Sequence, residues 1–182
     1  MRLREPRIPP LPESEWTSDT RELLPKSGPG GKPLNIFTTL VRHAGLFKRW
    51  MVFGNHVLAK STLPAREREI VILRTGWRCK SAYEFRQHTR IGLACGLTQD
   101  EIRRLTLGVD AWSGRDAVLV RAADELHDDQ FIGDETWREL REHWNEQQLM
   151  DLVFAIGQYT LVSMALNTFG VQLEDGSSEF LP

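Results

Sequence analysis

The sequence predicts a single-domain, all-α fold. Apolar residues recur at the three- and four-residue spacing of a helix in successive stretches from residue 35 onward. No stretch shows the strict apolar–polar alternation with a hairpin turn that is typical of antiparallel strands. With 182 residues, the chain has the size of one ordinary domain. We therefore expect a helical bundle over residues 35–182.

Residues 1–34 are predicted to form an irregular arm. Seven of the nine prolines fall before residue 34, together with Gly28, Gly30 and Gly31. Proline fixes φ and removes a backbone donor, so this segment has room for at most a short helix at about residues 14–24. The sequence GPGGKP lacks the GK[ST] ending and the preceding strand of a phosphate loop, so it is not interpreted as a nucleotide site.

The starts and stops of the bundle helices are predicted from capping residues. Asn35 is expected to cap the first helix and Thr62 the helix that carries Pro64 near its start. Thr98 begins a capping box, and Gly170 is expected to end a long apolar helix. The first predicted helix begins at Ile36, and further helices cover about residues 46–60, 63–78, 116–128, 135–143 and 147–169. Between residues 78 and 116 we expect one helix that Gly96 follows and one short helix that starts at Thr98.

Within the helix before residue 78, Ile70-Val71-Ile72-Leu73 is the one β-branched run that could form a strand. Its charged flanks and the cap before it favour a helix. The acidic run at residues 124–129 is interpreted as a solvated helix end rather than a metal site.

Composition argues against several classes of partner. The formal net charge is -2 and no basic stripe is present, so we expect no nucleic acid.

Cys79 and Cys95 have neither CxxC nor zinc spacing, which predicts free thiols in a reducing cytoplasm. The N-terminal residues lack the apolar stretch of a signal peptide. The apolar run of residues 149–166 contains Asp151 and Gln158, so we expect a buried helix rather than a membrane span.

Three ionisable side chains occupy apolar helix faces. On a helical wheel Glu69 lies beside Leu73 and Gly76, while Glu84 and His88 are one turn apart and can meet. An unpaired buried charge is unfavourable, and burial or pairing shifts pKa values towards those that acid–base chemistry requires. We therefore predict Glu69, Glu84 and His88 as catalytic residues, and we expect no metal because nothing else in the chain supplies clear ligand spacing.

Structural roles are open alternatives for each of these residues. Ser81-Ala-Tyr-Glu84 is itself a capping box, in which Glu84 only reaches back to the N–H of Ser81. Glu69 could pair with Arg74 or Arg42 in the core, and the histidine could be an ordinary core residue.

The same residues carry a family resemblance. The stretch 35–97, with NIFTTL, LFKRW, LPAREREIVILRTGWRC and YEFRQH, resembles the core domain of the carboxymuconolactone decarboxylase and alkylhydroperoxidase D-like family. DELHDDQFIGDETWREL and the final helix resemble its continuation. The resemblance implies an all-α fold and assembly into trimers or hexamers. It also implies a pocket near the contacts between subunits.

In peroxidases of this family the resemblance implies a glutamate, a CxxC pair and then a histidine after three intervening residues. With Glu69 and His88 aligned, the two cysteine positions hold Ser81 and Glu84. Cys79 lies two residues early and has no CxxC mate. Because thiol peroxidase turnover depends on the resolving disulfide, this departure makes peroxidase activity doubtful.

The resemblance then implies a cofactor-free, lyase-like enzyme that moves protons on a small carboxylated or lactone substrate. Arg74, Trp77, Ser81 and Tyr83 are predicted to contact this substrate, with Arg74 holding a carboxylate. Two alternatives remain open. The first is a peroxiredoxin-like antioxidant that uses Cys79, and the second is a non-catalytic binding or assembly protein on the same scaffold.

Overall fold

The computed structural model describes residues 3–174, which contain helices and connecting turns but no β-strand. The α-helices are α1 (Ser18–Leu23), α2 (Asn35–Leu40), α3 (Ala44–Asn55), α4 (Ala65–Arg78), α5 (Ala82–Ala94), α6 (Gln99–Arg104), α7 (Gly114–Asp128), α8 (Asp134–His143) and α9 (Glu146–Phe169). A π-helical turn, His56–Lys60, follows α3. The predicted all-α fold is confirmed.

Helix α4 lies at the centre of the bundle. It packs against α5, α7 and α9, and it is buried throughout residues 67–76. The run Ile70-Val71-Ile72-Leu73 has no solvent exposure. A helix that is covered on every side can be apolar all round, which explains why a β-branched run is helical here. The strand alternative for this run is wrong.

Several helix ends are where capping residues predict them. Thr98 forms the expected capping box at the start of α6. Gly170 ends α9 in the left-handed conformation, with φ of 72°. A second capping box, formed by Asn145 and Gln148, starts α9. These local signals work because each cap satisfies backbone N–H groups that the first helical turn leaves unpaired.

Two helix starts differ from the prediction. Helix α2 already includes Asn35, and Leu34 occupies the N-cap position. Pro64 is the N-cap of α4. Thr62, the expected cap, instead donates through its backbone N–H and its hydroxyl to Asp151 of α9. Thr62 therefore binds a side chain of a distant helix and does not cap α4.

The N-terminal arm is irregular and is tied to the bundle. The backbone N–H of Arg7 donates to the carbonyl oxygen of Phe169. Arg42 donates to the carbonyl oxygen of Pro9 at 2.8 Å, and this separates it from the predicted catalytic glutamate. The only α-helix between residues 3 and 34 is the short α1, as predicted. The division of the chain into an arm and a domain at residue 34 stays a prediction.

The acidic run at the end of α7 is not the solvated helix end that the sequence indicates. Asp124 accepts hydrogen bonds from Arg74 at 2.7 and 2.8 Å and from Arg78 at 3.0 Å, both on α4. Glu125 accepts from the N–H and a hydroxyl at the start of α8. The run thus joins α7 to two neighbouring helices.

Helix α9 is buried on one side only. By length and composition it is the one helix in residues 3–174 that could cross a membrane, and half of its most apolar window is buried against the rest of the chain. Burial of this kind is typical of a core helix, as predicted. The other side exposes Met150, Phe154, Leu161 and Met164, each by more than half.

Candidate active site

Two glycines allow α4 and α5 to pack closely. A Cβ atom on Gly76 would lie 3.4 Å from Cγ of Glu84. A Cβ atom on Gly92 would lie 3.2 Å from a methyl carbon of Leu73. Because carbon atoms are best separated by about 3.5–4.0 Å, a larger residue at Gly92 in particular would push the helices apart. This close approach brings the three predicted catalytic side chains together.

His88 lies between the two glutamates. Its Nδ1 is 2.7 Å from Oε2 of Glu69, and its Nε2 is 2.9 Å from Oε1 of Glu84. All three residues are buried, and Glu69 has no exposed surface. Arg68, which is itself buried, donates from Nε to Oε1 of Glu69 at 3.3 Å. Glu69 therefore does pair with a core arginine, as the structural alternative has it, but the partner is neither Arg74 nor Arg42. We call the three residues the Glu69–His88–Glu84 network.

The network holds His88 in its charged form. Burial by itself lowers the pKa of His88, but the negative charges of Glu69 and Glu84 outweigh burial and raise the pKa to about 10. At neutral pH the ring is therefore an imidazolium with two N–H donors. Each donor faces one carboxylate, and this fixes the orientation of the ring.

Glu84 is not a helix cap. The backbone N–H of Ser81 donates to the carbonyl oxygen of Gly76, and Ser81 makes no side-chain capping bond. Oε1 of Glu84 accepts no well-directed hydrogen bond, so its short contact with His88 is an ion pair. The capping-box alternative for Glu84 is wrong. What remains is a buried carboxylate with spare acceptor capacity.

A cavity of about 690 Å³ lies beside the network. Glu84 and His88 form part of its wall, whereas Glu69 lies behind them and does not line it. Most of the remaining wall is apolar and comes from α2, α3 and α9, including Ile36, Phe37, Trp50, Met51, Tyr159 and Val162. Apolar walls with a few polar groups are typical of sites for small organic molecules.

Further polar groups of this wall make no side-chain hydrogen bond within residues 3–174. They include the amides of Asn55 and Gln158, the hydroxyl of Tyr159 and Nε1 of Trp50. The amide of Gln158 and the hydroxyl of Tyr159 line the cavity and are available to a ligand. Nε1 of Trp50 is a buried donor without a partner, which is unusual.

Tyr159 also contacts the network directly. Its ring meets the ring of His88 edge to face, with centroids 4.7 Å apart. Burial, followed by the charges of Glu84 and Glu69, raises the pKa of Tyr159 well above its usual range, so the hydroxyl keeps its proton. Sequence reasoning missed Tyr159 and Gln158 as site residues. The available signal was a polar pair inside the apolar run of α9.

The four residues predicted to contact substrate are scattered. Tyr83 lines the cavity, but its hydroxyl donates to Glu174 at 2.6 Å. Ser81 has no exposed surface, Trp77 packs against the ring of Phe85, and Arg74 is held by α7. None of these last three lines the cavity. Their substrate contacts stay predictions that their positions do not support.

Both cysteines are free thiols, and neither lines the cavity. Sγ of Cys79 lies 3.8 Å from Nδ1 of His127 on α7. Burial and the charge of Glu69 raise the pKa of Cys95, which disfavours its thiolate. Within residues 3–174, no group of three or more His, Cys, Asp or Glu residues is arranged to hold a metal ion.

The fold is that of the AhpD-like helical proteins. An uncharacterized peroxidase-related protein with an alkylhydroperoxidase AhpD core, from Ralstonia eutropha JMP134, matches with a TM-score of 0.80 and 19% identity, over 95% of this chain and 94% of that chain. A protein of unknown function from Agrobacterium tumefaciens, described as a putative antioxidant defence protein AhpD, matches with a TM-score of 0.68 and 18% identity, over 74% and 94%.

Residues 44–127 match the model of the carboxymuconolactone decarboxylase family. With the shared fold, this match supports the resemblance to the carboxymuconolactone decarboxylase/AhpD-like family that the sequence predicted. The debrominase Bmp8 also shares the fold, with a TM-score of 0.74 and 12% identity over 93% of this chain and 92% of that one. No curated protein matches the sequence.

Proposed function

We propose that this protein is a cofactor-independent enzyme in which Glu84 and His88 transfer protons on a small organic molecule. The observation that carries the proposal is the Glu69–His88–Glu84 network in the wall of a cavity of about 690 Å³. The reaction class is decarboxylation or isomerisation next to a carbonyl group, as on a lactone, because both reactions require a proton to be added or removed there.

The positions of the two glutamates favour different roles for them. Glu84 lines the cavity and has an oxygen without a directed hydrogen bond, so we assign it the role of general base. His88, an imidazolium at neutral pH, stabilises the carboxylate and supplies a proton through it. Glu69 is wholly buried behind the ring and keeps it in place and charged.

The cavity also indicates how a substrate would lie. Its body would occupy the apolar part beside the network, where Gln158 and Tyr159 offer hydrogen bonds. A carboxylate would be repelled by Glu84, and Arg90, which is exposed, is the only lysine or arginine in the lining. An acid group would therefore lie at the Arg90 end of the cavity.

One of the fold relatives supports a ring-sized substrate. A cysteine-to-alanine variant of the debrominase Bmp8 is known in complex with 2,3,4-tribromopyrrole; it matches this chain with a TM-score of 0.68 and 13% identity over 93% of this chain and 92% of that one. A ring of this size fits within the volume of the cavity.

Proton transfer can be tested before the true substrate is known. Lactones and small β-keto acids would be incubated with the protein in D₂O, and deuterium incorporation and carbon dioxide release would be followed by NMR and mass spectrometry. We expect exchange on at least one compound, and its loss in Glu84→Gln. Glu67→Gln is the matched control, because Glu67 is a buried glutamate of α4 outside the cavity.

Two results of this experiment would contradict the proposal. Exchange that survives Glu84→Gln would remove the assigned base. If no compound exchanges and none raises the melting temperature of the protein, the non-catalytic binding or assembly role would be favoured instead.

A second candidate is a thiol peroxidase that uses Cys79, and the thiol–imidazole contact with His127 favours it. Burial and the charge of Arg78 lower the pKa of His127, so the ring is neutral at pH 7 and can accept the thiol proton. The thiolate would attack a hydroperoxide, release an alcohol and become a sulfenic acid, which two external thiols then reduce. Hydroperoxide consumption that is lost in Cys79→Ser but kept in Cys95→Ser would support this candidate.

A further inference from the structure

A second cavity adjoins the candidate active site. Its volume is about 560 Å³, and it lies between the N-terminal arm and α5. Pro29, Gln87 and Arg90 line both this cavity and the cavity beside the network. The two cavities therefore meet at these three residues. We call the second cavity the basic recess, because Lys32, Arg86 and Arg90 are part of its wall.

Two cations of the basic recess are available to a ligand. Lys32 and Arg90 are exposed, and neither makes an ion pair or a side-chain hydrogen bond with a residue between 3 and 174. Arg86 already has a partner. Arg86 and Arg90 lie one turn apart on α5, where two like charges disfavour the helix. An anion beside Arg90 would reduce this repulsion.

The acidic side chain of the basic recess is already occupied. Within residues 3–174 the wall contains one carboxylate, that of Glu174. This carboxylate accepts hydrogen bonds from the backbone N–H of Asn35 at 3.0 Å, the hydroxyl of Tyr83 at 2.6 Å and the amide of Gln87 at 2.6 Å. Three donors compensate much of its charge. The cations of the wall therefore outweigh it, and the basic recess attracts anions.

The cavity beside the network favours the opposite kind of group. Its wall is mostly apolar, and Oε1 of Glu84 lacks a well-directed hydrogen bond there. A negative group in this cavity would be repelled by Glu84. An apolar body is therefore favoured beside Glu84, and an anionic group is favoured beyond Arg90. Because the two cavities adjoin, one molecule can occupy both.

We propose that the basic recess binds the anionic group of the substrate, a carboxylate or a phosphate, while the apolar body of the same molecule lies against Glu84 and His88. The substrate is then an organic acid whose acid group is separated from the reacting carbon by a spacer. This inference rests on the proposed function, since it takes the ligand to be the substrate. The acid group anchors the molecule and does not itself react, because Glu84 does not line the basic recess.

Binding of a graded series of acids tests this inference. The series contains phenyl-capped straight-chain carboxylates from benzoate to phenylhexanoate, each paired with its neutral amide. Dissociation constants would be measured by calorimetry on the full-length chain. Benzoate should bind no more tightly than its amide, because its acid group cannot leave the cavity beside the network. The longest acids should bind at least about tenfold more tightly than their amides, since they gain a charge-assisted hydrogen bond. This preference should weaken as salt rises from about 50 to 500 mM.

Substitutions in the basic recess should remove the preference for long acids. Lys32→Gln and Arg90→Gln should each reduce it at least about threefold and leave the dissociation constants of the amides unchanged. The matched controls are Lys48→Gln and Arg103→Gln, which remove exposed cations that line neither cavity. Circular dichroism would establish that each variant is folded. Long acids that bind no more tightly than their amides would overturn the inference, and so would a preference that both recess variants leave intact.

Phosphate probes distinguish the two kinds of acid group. Tighter binding of phenylbutyl phosphate than of phenylpentanoate would assign a phosphate to the basic recess, and the reverse order would assign a carboxylate. Inorganic phosphate should bind at least about tenfold more weakly than the better of the two, because it lacks the apolar body. If inorganic phosphate bound as tightly and left amide binding unchanged, the recess would be a separate anion site and the inference would be overturned.

Failure of this inference can be told apart from failure of the proposed function. Glu84→Gln should abolish deuterium exchange but keep the preference for long acids, because it leaves the wall of the basic recess unchanged. Exchange that survives Glu84→Gln contradicts the proposed function alone. Exchange that Glu84→Gln abolishes, in a protein whose wild type shows no preference for long acids, contradicts the role of the basic recess alone.

Discussion

The candidate active site and the exposed apolar side of α9, which we call the α9 seam, are opposite departures from ordinary protein architecture. At the site, Glu69, Glu84 and His88 are ionisable groups inside the core. At the seam, Phe154 and Met164 are large apolar groups that face solvent. Most ionisable side chains are exposed, so a buried network and an exposed apolar line each need an explanation.

The two regions differ in how far their side chains find partners within one chain. The imidazolium of His88 compensates the carboxylates within the same molecule, and only Glu84 keeps an acceptor unused. The seam has no such compensation within residues 3–174, because nothing there covers it. A small ligand can complete the first region, whereas only another large apolar surface can complete the second.

The largest expected effect is on turnover, and it tests whether Glu84 has a chemical role. Glu84→Gln keeps the shape of the side chain but removes the base, so turnover should fall by about 10²- to 10⁴-fold. The free energy of unfolding should change far less, because His88 keeps Glu69 as a partner. Turnover and urea unfolding would be measured on the same preparations. Turnover within threefold of wild type would remove Glu84 from the mechanism.

The next largest effect concerns stability. His88→Gln leaves two buried carboxylates without their shared cation, and we expect the free energy of unfolding to fall by about 3–5 kcal/mol. Urea denaturation would measure the loss. Combining it with Glu69→Gln should restore part of the stability, and no restoration would contradict the network.

The pH dependence of stability tests whether the ring of His88 is charged. The pKa of His88 is raised from about 6.5 in the unfolded chain to about 10 in the folded protein. Its contribution is therefore complete below pH 6.5 and is lost as the pH rises to 10, by about 1 kcal/mol per pH unit. The difference between wild type and His88→Gln in urea unfolding should shrink over this window. A constant difference would show that the ring is not charged.

The smallest predicted effect tests whether the exposed side of α9 is open at Gly157. Gly157→Ala should stabilise the protein by about 0.5–1 kcal/mol, because alanine favours a helix and its Cβ meets no other atom within 4 Å. Urea unfolding would measure the gain. A loss of stability would contradict an open backbone at this position.

Much of the fold was predictable because its signals are local. The capping box at Thr98, the left-handed Gly170 and the helical run of residues 70–73 depend on neighbours a few positions away. Predictions failed where a distant residue competes for the same group. Thr62 binds Asp151 instead of capping α4, and the acidic end of α7 binds arginines of α4 instead of water.

The candidate site was likewise predictable only where local spacing relates its residues. The i, i+4 spacing of Glu84 and His88 was enough to predict their contact, and the apolar face of Glu69 was enough to predict its burial. The partners of a buried side chain on other helices were not predictable. Tyr159 comes from α9, and its ring meets the ring of His88 edge to face, so no spacing in the sequence relates it to the site.

The sequence by itself determined which ionisable groups lie on inward helix faces, and that α9 is apolar along most of its length. Helical periodicity is a property of the local backbone, so a face can be assigned from sequence. Only the tertiary structure decided what each face meets. It placed His88 between two carboxylates beside a cavity, and it left one side of α9 uncovered, because the packing of helices depends on contacts between residues far apart in the chain.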